Sequence, residues 1–141
     1  MNEVALPLPV LQSAVLRGFH HGFTSRAGGV SEGAYASLNL GLKWGDAPER
    51  VAENRRRLLE AAGRPLYFAT QVHGATVQVV QAEDALETVA GRQADALVAR
   101  GPVAVGVHVA DCGPILLADP RTGAFGAAHA GWRGTVAGVV P

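Results

Sequence analysis

Three segments of this chain carry the residue types from which reactive sites are built. They are QVHG with His73, VADCGPILLAD with Cys112, and GAFGAAHAGWRG with His129. Each places its imidazole or thiol in a glycine-rich turn at the end of an apolar stretch. A thiolate and two imidazoles form a three-ligand zinc set. Three protein ligands leave a fourth position for water or substrate, where structural zinc sites close with four. The bland alternatives stand beside this reading, since a single cysteine is most often a small core hydrophobe. Cys112, however, lies between Asp111 and Gly113-Pro114 at a strand end, a poor place for plain packing. His129 stands among Ala and Gly, where little bulk competes with the ring, and His73 gains its meaning from the other two.

Other polar residues divide between chemistry and structure. Asp111 suits a ligand-orienting group or a base, or else a turn-forming Asx. Arg133 stands at the start of the last helix in GWRG, where free N–H groups and the helix dipole favour anions such as phosphate. His108 alternates with valines and reads as a core histidine bonded to backbone, while His20 and His21 read as structural or pocket-edge. Arg55, Arg56 and Arg57 read as a solvated helix face rather than a phosphate site.

The elements that must position these groups are mixed α/β, without repeats. Residues 14–24 read as a strand leading into SRAGGVSEGAYASLNLG, a long Gly- and Ser-rich loop of the kind that often carries function. The clearest helix covers 47–62. Asp46 is the expected N-cap, Pro48 and Glu49 suit the first turn, Gly63 is the stop, and Val51, Leu58, Leu59 and Ala62 form the buried stripe. Short apolar strands follow at 66–69, 75–81, 95–99, 103–110, 115–118 and 124–128, with a short helix between Glu83 and Gln93. The runs at 103–110 and 115–118 are nearly continuous in hydrophobicity, as in sheets covered on both faces. A final helix is expected from Gly134 to Pro141.

The DPRTGA segment makes one spacing testable. A four-residue loop with Gly123 in the left-handed region closes Asp119 against Ala124. The register then sets Pro114 opposite His129 and Cys112 opposite Gly131. Cys112 and His129 become diagonal neighbours on one face, about 7–8 Å apart at the backbone. That is within reach of a shared metal.

Composition excludes several classes. The 141 residues suffice for one domain with a core, and acidic and basic residues balance, so no field steers the chain to nucleic acid or an anionic membrane. Eleven of the twelve basic residues are arginine, Lys43 being the exception, which bears on base composition rather than function. No apolar run approaches the roughly 18 residues of a membrane span. The N-terminal MNEVALPLPVLQSAVLRG does not read as a signal peptide. With one cysteine there is no internal disulfide, and the cytoplasm is the expected compartment.

QVHG, the ADALV segment, VADCGPILLAD and AHAGWRG, in that order, resemble the core motifs of the polyphenol-oxidase/laccase-domain family of YfiH-like proteins. FTSRAGGVSEGAYASLNLG and GDAPERVAENRRRL resemble its opening motifs, so the resemblance spans almost the whole chain. It implies an α/β fold of the YfiH-like, cysteine-hydrolase-related architecture, with a mixed sheet and flanking helices, in which His73, Cys112 and His129 bind zinc. It also implies phosphorolysis of adenosine, inosine and methylthioadenosine, deamination of adenosine, and an older association with copper-dependent oxidation. Members of the family run on past the GWRG helix, so this chain is expected to be a single domain lacking its C-terminal part.

Ligand chemistry chooses among these activities. A multicopper oxidase needs many histidines, mostly in His-x-His pairs, and this chain has five histidines and no such pair. Copper at a Cys/His site is nonetheless expected from the affinity order. The H-x-E…P-C-x-x-C deaminase signature is absent. For phosphorolysis, the partners are a purine nucleoside and phosphate. Arg133 with Arg26 would hold phosphate, Asn39 would bond base or ribose, and Asp111 would orient a ligand or take a proton. Two other classes stay open. One is a thiol hydrolase using Cys112 and His129 on amide bonds of cell-wall precursors. The other is a catalytically silent remnant. The preferred nucleoside and the oligomeric state are left open.

Overall fold

A computed structural model describes residues 8–141 of the chain. These fall into two units, the first ending at Gly63 and the second spanning Arg64–Pro141. The N-terminal reading over residues 1–7 lies outside the described residues.

The first unit pairs β1 (Val10–Leu11) antiparallel with β2 (Phe23–Thr24). The strand expected over 14–24 is therefore confined to its last two residues. A single 3-10 turn, Ala14–Leu16, takes its place, capped by the Ser13 hydroxyl, which accepts the Val15 N–H. His21 is structural, as expected. One ring nitrogen accepts the Ser13 N–H and the other donates to the Phe19 carbonyl, both at 2.8 Å.

Helix α1 (Pro48–Ala62) ends at Gly63, whose φ of 63° is the left-handed cap the sequence predicts. Its start and its buried face differ from expectation. Ala47, not Asp46, occupies the N-cap. The Asp46 carboxylate is instead buried in a network, accepting from Ser31 Oγ at 2.6 Å and Asn39 Nδ2 at 3.0 Å. Those hydrogen bonds, first Ser31 and then Asn39, hold its carboxyl below the usual value. The inward face is Val51 and Asn54, while Leu59 is half-exposed. A fully buried asparagine is tolerated because every polar atom is matched: Oδ1 accepts from Val30 N, and Nδ2 donates to Ser31 Oγ and Asn39 O. The three arginines bond locally, Arg55 to the Leu40 carbonyl, Arg56 to Glu53 and Glu60, and Arg57 to Glu53 and the Gly28 carbonyl.

The second unit runs β3 (Leu66–Tyr67), β4 (Val77–Val80), α2 (Leu86–Ala90), β5 (Ala96–Ala99), β6 (Ala104–Val105), β7 (Gly113–Asp119), β8 (Ala124–Ala130) and α3 (Trp132–Val136). β3 and β6 form a parallel pair, and the main sheet has the order β4-β5-β8-β7. β4 is parallel to β5, and the other contacts are antiparallel. This is the mixed α/β architecture expected. Alternation along β5 separates two cores: Leu97 and Ala99 pack with Tyr67, Val80, Val89 and Val103, and Ala96 packs with Ala128 and Val139.

Three expectations are corrected here. The 103–110 run is not one doubly covered strand, because only Ala104 and Val105 pair. Beyond them the Gln71 amide brackets His108, accepting its N–H and donating to its carbonyl, so a side chain replaces the ladder. His108 is accordingly exposed, stacked on Phe68 at 4.2 Å, and not a core residue. The last helix begins at Trp132, before Gly134, and ends at Val136. Gly138, with φ 82°, turns the chain so that Val139 N–H returns to the Gly134 carbonyl.

Candidate metal centre

The hairpin of β7 and β8 has the predicted register. Gly123 takes a φ of 74°, and Asp119 faces Ala124. The Asp119 carboxylate caps the turn, accepting from Arg121 N and Thr122 Oγ1. At the far end Pro114 pairs with His129 and Gly113 with Ala130, so Cys112, one step beyond the strand, comes level with Gly131. The diagonal relation of Cys112 to His129 follows from where this turn closes.

The other neighbour of β8 supplies a residue the sequence reading did not single out. Ala96 pairs with Ala128 and Leu97 with Ala127, so one step back along the ladder Asp95 lies opposite His129. The His129 N–H donates to the Asp95 carbonyl at 2.7 Å, which extends the pairing. Side chains of opposed residues share a face, and Asp95 Oδ2 lies 2.7 Å from His129 Nδ1. Asp95 is 0% exposed and His129 3%. The available signal was a carboxylate opening the buried run ALVA, since aspartate is almost never fully buried without a partner.

The same carboxylate shapes the turn that presents His73. Asp95 Oδ1 accepts from Val72 N at 3.0 Å and Gly74 N at 2.9 Å, and Oδ2 accepts from His73 N at 2.9 Å. Three successive amides wrapped on one anion form a nest. His73 has a φ of 60°, the one non-glycine residue in the left-handed region among those described. That conformation costs on the order of 1–2 kcal/mol, which the amide–carboxylate bonds offset. Gly134 of α3 closes over the turn, where a Cβ would stand 2.8 Å from the Gly74 carbonyl oxygen. Burial by itself raises the Asp95 carboxyl. The bonds from Val72, Gly74, His129 and His73 outweigh it and hold Asp95 ionised, below its ordinary value.

The three expected ligands converge. One donor atom from each of His73, Cys112 and His129 lies within 4.8 Å of the others. The His73 and His129 rings meet edge-on with centroids 4.8 Å apart. The residues fit a metal ion on two counts. The donors are two imidazoles and a thiol, a set that suits zinc or copper. The space between them is kept by Gly131, where a Cβ would stand 3.1 Å from His73 Cδ2 and 3.2 Å from Cys112 Sγ. With bonds near 2.0–2.3 Å, ligands of one ion sit about 3.5 Å apart, so the widest pair must draw in. His73, exposed, has room to do so.

Asp111 is exposed in the bend before Cys112. Arg133 is exposed on α3, its guanidinium 5.2 Å from the centre of the Trp132 ring. α3 has five residues, too few for its N-terminus to make an anion site on its own. Arg26 and Asn39 belong to the first unit. Arg26 Nε donates to the Ala36 carbonyl, and the Asn39 amide bonds Gly41 and Asp46.

Comparison with known proteins places the chain among relatives. A family model described as multi-copper polyphenol oxidoreductase laccase matches residues 20–141. A purine nucleoside phosphorylase of Deinococcus radiodurans is 48% identical over 137 residues, covering 92% of this chain and 49% of that protein. The crystal structure of YlmD from Geobacillus stearothermophilus matches with a TM-score of 0.72 and 41% identity over 84% of this chain and 47% of its own. A Neisseria meningitidis DUF152 protein matches with a TM-score of 0.73 and 45% identity, over 84% of this chain and 48% of its own. The chain spans about half the length of these relatives.

Proposed function

The chain belongs to the multi-copper polyphenol oxidoreductase laccase family, and we propose that it acts in the phosphorolysis of purine nucleosides, with zinc held by His73, Cys112 and His129. One observation carries the reading: a donor atom from each of two imidazoles and a thiol lies within 4.8 Å of the others, and His129 Nδ1 is engaged by Asp95, which leaves its Nε2 free to bind a metal. The relatives named purine nucleoside phosphorylase supply the reaction class. Few histidines and no His-x-His pair weigh against a multicopper centre, although copper can enter a Cys/His site.

Zinc held by His73, Cys112 and His129 would supply Lewis-acid chemistry there. The protein's part is orientation and charge. In phosphorolysis a phosphate oxygen bonds to the sugar C1′ as the C1′–N bond to the purine breaks, and the base leaves with a proton. Arg133 on α3 offers a guanidinium for the phosphate charge. Asp111, beside Cys112, is the exposed carboxylate that can hold a proton on that side. Adenosine, inosine and methylthioadenosine are the proposed substrates, with adenosine deamination as a second activity and a cytoplasmic location.

A second reading has its own observation. Asp95, His129 and Cys112 are ordered as carboxylate, imidazole and thiol, the constellation of a thiol hydrolase acting on amide bonds.

Chromatography of adenosine incubated with zinc-loaded protein, with and without phosphate, tests the proposal. Adenine formed only with phosphate supports it. Inosine formed without phosphate replaces it by deamination, and neither product from folded, zinc-loaded protein overturns it.

A further inference from the structure

The four hydrogen bonds on Asp95 go to two different ligand-bearing elements. Oδ1 is filled by the Val72 and Gly74 amides, and Oδ2 by the His73 amide and the His129 ring. A carboxylate offers about four acceptor directions, so none is left for a reacting proton. The side chain is also fully buried, which rules it out as a general base in contact with substrate. Among the described residues it is nevertheless the one side chain bonded to both the His73 turn and the His129 ring.

We propose that Asp95 is the positioning residue of the metal centre, setting two of its three ligands at once. Accepting from Nδ1 fixes His129 with its proton on that nitrogen and its lone pair on Nε2, toward Cys112 and His73. Collecting three successive amides holds residue 73 in the left-handed conformation that turns its side chain to the same point. Cys112 comes independently, from the β7–β8 register. The inference rests on the metal-site part of the function proposed above and not on the reaction.

Asparagine at this position cannot imitate the carboxylate in either orientation. With its NH2 toward the Val72 and Gly74 amides, two donors face a donor and the turn loosens. With its NH2 toward the His73 amide and His129, it donates to Nδ1 and drives the ring to the Nε2–H tautomer, which has no lone pair for a metal.

Chelator competition with zinc measures the effect. Asp95→Asn is expected to weaken zinc binding by about 10–100-fold, as loss of an outer partner to a metal-bound histidine does. Long-range 1H–15N NMR of metal-free wild-type protein is expected to show His129 as the Nδ1–H tautomer with a slowly exchanging ring proton. A folded Asp95→Asn variant with wild-type zinc affinity overturns the inference. So does a wild-type His129 in the Nε2–H form, a readout that holds even where the variant does not fold. Zinc uptake by wild-type protein without phosphorolysis fails the reaction and leaves Asp95 in this role. Wild-type protein that takes up no zinc overturns the centre and this inference with it.

Discussion

Asp95, the residue just before β5, and His129 on the antiparallel β8 are 34 residues apart in the chain and 2.7 Å apart at Oδ2 and Nδ1, both buried. The contact gives the acid sensitivity of the second unit a definite sign. The Asp95 carboxyl is held below its ordinary value of 3.8. A folded pKa depressed in this way contributes stability that is fully present above the unfolded value, near 3.9, and is lost as pH falls through the folded one. Melting of metal-free protein is therefore expected to be level in this contribution from neutral pH to about 5 and to fall below about 4. Melting curves of wild type and Asp95→Asn across that range check it, since the variant should lack the acid step.

Cys112 separates the metal reading from the thiol-hydrolase reading. Cys112→Ala is expected to abolish zinc binding and turnover together. Iodoacetamide should leave zinc-loaded wild type unmodified until a chelator is added, because a metal-bound thiolate is protected. Stoichiometric alkylation with zinc still bound would favour the nucleophile.

Gly131 tests the space between the ligands without altering any of them. A methyl there stands 3.1 Å from His73 Cδ2 and 3.2 Å from Cys112 Sγ. Its φ of −77° is ordinary for alanine. Gly131→Ala should therefore keep the fold and weaken zinc binding by about tenfold, the scale of outer-shell disturbance. Wild-type affinity in this variant would show that the ligands do not close around that point.

At His73 the ligand and the backbone can be told apart. His73→Gly and His73→Ala both remove the imidazole and should both abolish zinc binding. Glycine adopts a φ of 60° without strain. Metal-free His73→Gly is expected to exceed His73→Ala in stability by about 1 kcal/mol, read by denaturant unfolding.

Asn54 plays the corresponding structural part in the first unit. Asn54→Ala leaves the Val30 N–H and the Asn39 carbonyl without this partner. A loss of about 2–3 kcal/mol is expected by denaturant unfolding, with zinc affinity unchanged. A neutral result would mean that water replaces the amide.

The sequence by itself determined the three donors and one of the two registers that place them. Gly123 forces the turn, the turn fixes Asp119 on Ala124, and alternation along the strands carries that parity to Cys112 and His129. Gly63 likewise marked the end of α1, because only a left-handed residue terminates it there. The helix face was legible at Val51 and not at Asn54, since an asparagine bonded on all sides can be buried as deeply as valine, and hydrophobic periodicity does not register it. Tertiary structure alone decided the role of Asp95. Its partners in the chain are 21 to 34 residues away. No local propensity dictates that β5 should lie between β4 and β8 in the sheet. Once it does, the ladder puts a carboxylate under His129, and the turn carrying His73 folds onto the same charge, because a buried anion needs every donor within reach.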